Sequence, residues 1–132
     1  MSVKYMSAQE AVKLIKSGHY VYVQGSTSVP EVLMQAMADR GNELRGVTVY
    51  TGFAVTKGMA PICKPEYKDS FLVDSFFVNN SVRKWIGEGY GSMTPRFLGE
   101  VPQLFRDGTW PIDVALMNCS MPNEDGYVSF GV

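Results

Sequence analysis

Two short runs of β-branched and aromatic residues, Tyr20-Val21-Tyr22-Val23 and Val47-Thr48-Val49-Tyr50, flank one helix-length stretch, and that arrangement limits the fold more than any other feature of the chain. Between them, Ser28-Val29-Pro30-Glu31 has the S-x-x-E form of a capping box. Pro30 falls in the first turn, where a missing N–H is tolerated. The helix is expected to run to about Arg40, with Gly41 as a left-handed C-cap. Strand, helix and strand then make a βαβ unit, and a crossover of this kind joins parallel strands.

The flanking segments extend the same pattern. Ser7-Ala8-Gln9-Glu10 is a first capping box, after which Ala8, Ala11, Val12 and Ile15 share one helical face, and that helix is expected to stop at Gly18. Phe76-Phe77-Val78 and Val114-Ala115-Leu116-Met117 are short apolar runs, and Ser81–Ile86 reads as helix up to Gly87. There is no repeat, low-complexity tract or charge block, so residues 1–132 are expected to form one α/β domain with a mainly parallel sheet flanked by helices.

Composition removes several function classes. Twelve Lys+Arg against thirteen Asp+Glu leave a net charge of -1, far from the basic surplus that phosphate neutralisation in nucleic-acid binding calls for. No apolar run reaches the roughly 18–20 residues of a membrane span, and the N-terminus has no secretory pattern, so a cytoplasmic protein is expected. Cys63 and Cys119 make no disulfide framework and no C-x-x-C pair, and both are expected to be buried fillers. The triplets Asn79-Asn80-Ser81 and Asn118-Cys119-Ser120 match a glycosylation pattern only by coincidence in such a protein.

Catalytic templates fare no better. Gly87, Gly89 and Gly91 lack the final glycine of a dinucleotide fingerprint, since position 92 is Ser, and they follow a helix rather than a strand. Neither a Walker loop nor a G-x-S-x-G elbow is present. The single histidine, His19, sits at a turn, and one His cannot build a multi-His metal site, so neither a metal nor a catalytic His is expected. Met34, Met37, Trp85 and Trp110 read as core packing.

One segment stands out chemically: Gln24-Gly25-Ser26-Thr27-Ser28-Val29-Pro30, a tight loop between a strand's carboxyl end and a helix start. Backbone N–H groups there suit an anion or oxyanion. Equally, Gly25 could serve only the turn and Ser28 only the cap.

Five blocks in order resemble the N-terminal part of the acetyl-CoA hydrolase/transferase family, which includes 4-hydroxybutyrate and butyrate:acetate CoA-transferases. They are Ser7–Ala11 with the following Val-rich strand and glycine loop, Val82-Arg83-Lys84 leading to Gly87-Glu88-Gly89, Thr94–Phe105 with its P-x-F-L-x-E-x-P stretch, Asp113–Met117, and Met121–Gly131. The resemblance implies a NagB/RpiA/CoA-transferase-like fold and an enzyme that moves CoA between a short-chain acyl-CoA (acetyl, butyryl or 4-hydroxybutyryl) and a free carboxylate. In this family a glutamate forms the covalent CoA thioester. That glutamate belongs to the C-terminal half, and none of Glu10, Glu31, Glu43, Glu66, Glu88, Glu100 or Glu124 matches it.

The chain is therefore expected to be a fragment without catalytic residues of its own, inactive alone. Its implied partners are its own C-terminal domain or a glutamate-bearing subunit, and its parent is implied to be a homodimer. Coenzyme A enters as substrate and no further cofactor is implied. Gly25-Ser26-Thr27-Ser28-Val29-Pro30 resembles the family's G-x-x-x-x-P loop, which implies a substrate-binding role for Gln24, Gly25, Ser26 and Thr27. Tyr90-Gly91-Ser92-Met93 and Asp125 depart from the family pattern at positions that bear on acyl preference. A hydrolase differs only in whether water reaches the thioester, and a stand-alone carboxylate-binding or subunit-interaction module is the reading from another class.

Overall fold

Five parallel strands form one sheet in the order β4-β3-β2-β1-β5, where β1 is Tyr20–Val23, β2 Val47–Thr51, β3 Phe71–Ser75, β4 Gly91–Met93 and β5 Val114–Leu116. The computed structural model describes residues 4–54 and 57–130. Met1–Val3 and the last two residues of the terminal run, Gly131 and Val132, lie outside the described residues. The helices are α1 (Ala8–Ala11), α2 (Glu31–Asp39), α3 (Arg83–Gly87) and α4 (Val101–Arg106), and none is long and apolar enough to cross a membrane.

Period-2 alternation divides the sheet into two layers. Val21, Val23, Val47, Val49, Phe71 and Val73 point to one side, where they are fully buried with Val12, Ile15, Met34, Met37 and Trp85 from the α1, α2 and α3 regions. Tyr22 and Tyr50 point to the other side, where Leu104 and Phe105 of α4 and Trp110 pack on them. Thus the crossover from β1 to β2 lies on one face and that from β4 to β5 on the other. The chain moves outward from β1 in one direction and then returns to place β5 on its opposite flank. β1 and β5 are the topological switch point of this sheet.

Local signals explain several boundaries. The first capping box forms as expected: Glu10 N–H donates to Ser7 Oγ at 3.2 Å and Ser7 N–H to Glu10 Oε2 at 3.0 Å. The helix is shorter than expected, however, passing into a 3₁₀ turn at Val12–Leu14 rather than continuing to Gly18. Arg40 reaches across from α2 to hold its end, donating to the carbonyls of Ile15 (2.9 Å) and Val12.

The second capping box does not form. Pro30 sits at φ -78°, ψ 75°, the inverse γ-turn conformation, and Glu31 N–H donates to the Val29 carbonyl at 2.9 Å. That turn satisfies a helix-start donor with backbone, which leaves the buried Ser28 without a capping role. Gly41 also departs from expectation, since its φ is not positive. A Cβ there would come within 2.5 Å of the Tyr67 ring, so the glycine serves a close approach, and Gly46 (φ +62°) makes the left-handed turn before β2.

The short apolar run Phe76–Val78 is not itself a strand and follows directly on β3. Ser75 ends β3 by turning back: its hydroxyl is 2.8 Å from the Phe77 carbonyl and accepts Phe77 N–H at 3.3 Å. The Phe76 ring then fills the space above Gly52, where a Cβ would come within 2.3 Å. Strand β4 is an addition to the expected elements. Gly91 opens it against Val73, whose carbonyl would lie 2.6 Å from any Cβ at that position.

Candidate functional site

The loops at the carboxyl ends of β1, β2 and β3 brace one another. Gly25 passes so close to Phe53 that a Cβ would sit 3.2 Å from its amide nitrogen and 3.3 Å from its carbonyl oxygen. Ser26 takes φ 59°, a left-handed conformation uncommon outside glycine, and donates its N–H to the Phe53 carbonyl while pairing in parallel with Ala54. The Ala54 carbonyl accepts in turn from Asn79 Nδ2 at 2.6 Å and lies 3.0 Å from the Ser81 hydroxyl. Asn79 Oδ1 closes a local turn by accepting Ser81 N–H at 3.0 Å. Phe53 and Phe77 meet edge-to-face at 4.9 Å.

The loop after β1 is tied just as firmly on its other side. Gln24 N–H donates to the Leu116 carbonyl at 3.0 Å, and Gln24 Oε1 accepts Asn118 N–H at 2.7 Å. Between the strap that follows β5 (residues 117–120) and the start of α2 lies a cleft of about 460 Å³ lined by Thr27, Val29, Val32, Leu33, Met117 and Asn118, with Pro30 and Glu31 at the helix start. It therefore opens at the switch point between β1 and β5, the place where open parallel sheets bind ligands. A hollow of about 480 Å³ beside Gln9, Gln35 and Lys57 is walled by helix flanks and a 3₁₀ turn instead, and lacks that placement.

The four residues singled out from sequence thus share one loop but face different partners. The Ser26 amide is committed to Phe53. The amides of Gly25 and Thr27 have no hydrogen-bond acceptor among the described residues, and Thr27 is exposed in the cleft wall. Gln24 is bonded to the strap through both its amide and its side chain. The cleft wall sets aliphatic side chains beside the polar Thr27 and Asn118, and its charged group, Glu31, disfavours an anion at the helix-side rim.

Sequence reasoning passed over Phe53, Asn79, Ser81, Met117 and Asn118 as site residues. A signal existed, since both N-x-S triplets follow strands, β3 and β5, and Asn79, Ser81 and Asn118 make the bonds that lock the strand-end loops. Of the cysteines, Cys63 is partly buried, and burial pushes its thiol up to about 12. Cys119 lies exposed on the strap, contrary to the expectation of a buried filler, because the segment after β5 leaves the sheet.

A parallel α/β sheet with helices on both faces and a cleft at its switch point defines a domain of the doubly wound class. The chain belongs to the acetyl-CoA hydrolase/transferase family, whose N-terminal-domain model matches residues 2–132. It is 31% identical to the butyryl-CoA:acetate CoA-transferase of Anaerostipes caccae, an alignment covering 97% of this chain and 28% of that protein. With the 4-hydroxybutyrate coenzyme A transferase of Clostridium kluyveri it shares 31% identity over 98% of this chain and 30% of that protein. Among solved structures, RipA from Yersinia pestis shares the fold with a TM-score of 0.86 at 24% identity, over 96% of this chain and 31% of that one. The 4-hydroxybutyrate CoA-transferase of Porphyromonas gingivalis superposes with a TM-score of 0.64 at 30% identity, over 96% of this chain and 27% of that one. The chain thus spans about 28–30% of the length of the two curated relatives.

Proposed function

We propose that these 132 residues are the N-terminal part of a CoA-transferase that moves CoA between a short-chain acyl-CoA and a free carboxylate. The reading is supported by family membership together with one structural observation: a cleft at the sheet's switch point beside a loop whose Gly25 and Thr27 amides lack acceptors among the described residues. In this reading a glutamate from outside the 132 residues attacks the thioester carbonyl. The carbonyl C–S bond breaks, and CoA thiolate leaves behind a mixed anhydride. Thiolate then attacks the glutamyl carbonyl, releasing the first carboxylate and forming glutamyl-CoA, and a second carboxylate reverses the sequence to leave as the new acyl-CoA.

The contribution of this part is electrostatic and positional. As the carbonyl becomes tetrahedral, negative charge develops on its oxygen, and in this reading the N–H groups of Gly25 and Thr27, with the Ser26 and Thr27 hydroxyls, donate to it. The aliphatic wall of Val29, Val32, Leu33 and Met117 suits the uncharged acyl chain better than a carboxylate. The complete enzyme would join this part to a glutamate-bearing domain or subunit, as a homodimer.

The test is carried out in the full-length protein with butyryl-CoA and acetate, following acetyl-CoA formation. Wild-type protein should transfer CoA. Gly25→Val, whose Cβ would already crowd the Phe53 backbone at 3.2 Å, should lower turnover by about 100-fold or more. No transfer by the wild type with any short-chain acyl-CoA, or release of free CoA only, would replace this reading with a non-catalytic or hydrolytic one. Unchanged turnover in a folded Gly25→Val protein would remove the loop from the site.

A further inference from the structure

Gln24 stands where a substrate contact would be expected, at the root of the glycine loop, yet its hydrogen bonds run sideways into the chain that leaves β5. Its N–H donates to the Leu116 carbonyl at 3.0 Å, continuing the β1–β5 ladder by one residue. Its side-chain carbonyl then accepts Asn118 N–H at 2.7 Å. The orientation of the amide is set by its partner, because a backbone N–H can bond only to the oxygen of the side chain. These two bonds fasten the residues on either side of Met117.

Met117 and Asn118 form one wall of the switch-point cleft, and Thr27, Val29, Val32 and Leu33 form the other. The strap is otherwise lightly held: Met117, Asn118 and Cys119 are all exposed, and the next backbone bond along it is Ser120 N–H to the Ser129 carbonyl. A wall on an irregular, exposed segment has no ladder to fix its distance from the opposite wall. One short hydrogen bond at its root therefore has a large influence on the width of the cleft.

We infer that Gln24 is a positioning residue, whose side-chain carbonyl pins Asn118 and thereby sets the cleft wall carrying Met117 against the acyl chain. The inference rests on the transferase reading for its kinetic consequence, though the clamp itself can be judged without it. It also assigns the work of Gln24 to its oxygen, whereas direct binding of a substrate carboxylate would use its Nε2 hydrogens.

That distinction makes the test. In the full-length protein, Gln24→Leu removes the acceptor, whereas Gln24→Glu keeps an oxygen in place and removes the amide donor. Loosening the wall weakens binding of the acyl group without touching the reacting atoms. Gln24→Leu should thus raise KM for butyryl-CoA about tenfold with kcat within about threefold, and Gln24→Glu should stay within about threefold of wild type in both. Hydrogen exchange of the peptide containing Asn118 should quicken in Gln24→Leu and remain slow in Gln24→Glu, whether or not the protein transfers CoA. A Gln24→Glu protein as impaired as Gln24→Leu would mean that the amide donor is what matters and would overturn the clamp, as would a Gln24→Leu loss confined to kcat. Unaltered exchange at Asn118 in Gln24→Leu would overturn it even in a protein with no transferase activity.

Discussion

Phe71 and Leu72 are neighbours in β3, yet the first is 0% exposed and the second 44% exposed, because alternation sends them to opposite faces of the sheet. On the side of Phe71, the α1, α2 and α3 regions cover a continuous buried apolar layer. On the side of Leu72 a single short helix, α4, covers the middle, and the tyrosines close part of the remainder by stacking: Tyr20 on Tyr50 at 6.0 Å and Tyr50 on Trp110 at 4.4 Å. Stability is thus concentrated in one layer. The second layer has rings that pack well in the centre and remain open at the margin.

The largest effect that sharpens this contrast is a pair of substitutions at adjacent positions. Phe71→Ala should lower the unfolding free energy by about 3–5 kcal/mol through transfer and cavity terms. Leu72→Ala should lower it by less than about 1 kcal/mol. Urea unfolding of the two proteins side by side decides the matter, and equal losses would mean that the second face is sealed after all.

A smaller effect belongs to the aromatic layer and to alkaline solution. Burial first, then the neighbouring Tyr20 and Asp74, pushes the Tyr50 phenol up to about 12. The unfolded phenol ionises near 10. Because the folded value is the higher, the contribution of neutral Tyr50 is complete below pH 10 and disappears as pH rises through 12. Urea midpoints of wild type should fall across that interval, and Tyr50→Phe should reduce the fall. An identical decline in the variant would place the alkaline loss elsewhere.

The smallest effect concerns reactivity rather than stability. Cys119 is exposed on the strap, while Cys63 packs partly against the helix-side core with its thiol pushed up to about 12 by burial. A thiol reagent at pH 8 should modify Cys119 readily and Cys63 only when denaturant opens the core. Mass spectrometry of the labelled protein gives the order, and simultaneous labelling would deny Cys63 its place in the closed layer.

Much of this fold is legible in the order of the residues. Tyr20–Val23 and Val47–Thr51 are dense in strand-forming residues, and Ser7 and Glu10 are three positions apart, so their signals depend on chain neighbours. Elsewhere local chemistry misleads. Phe76–Val78 is more apolar than Phe71–Ser75, yet the strand ends at Ser75, whose hydroxyl bonds Phe77 and breaks the extended path. Ser28 has the form of a cap, yet the γ-turn at Pro30 supplies the acceptor that the cap would have given. Gly41 reads as a helix stop, yet what it makes room for is a tyrosine 26 residues further on.

Composition, alternation and the ordered family blocks, all carried in the chain itself, determined a parallel α/β domain of the acetyl-CoA hydrolase/transferase family. Only the tertiary structure decided which groups meet at the strand ends. Gln24 and Asn118 are 94 positions apart, and their hydrogen bond exists because β5 returns to pair beside β1. Capping and alternation act between residues a few positions apart and can be read locally, whereas a cleft wall depends on where distant segments come to rest.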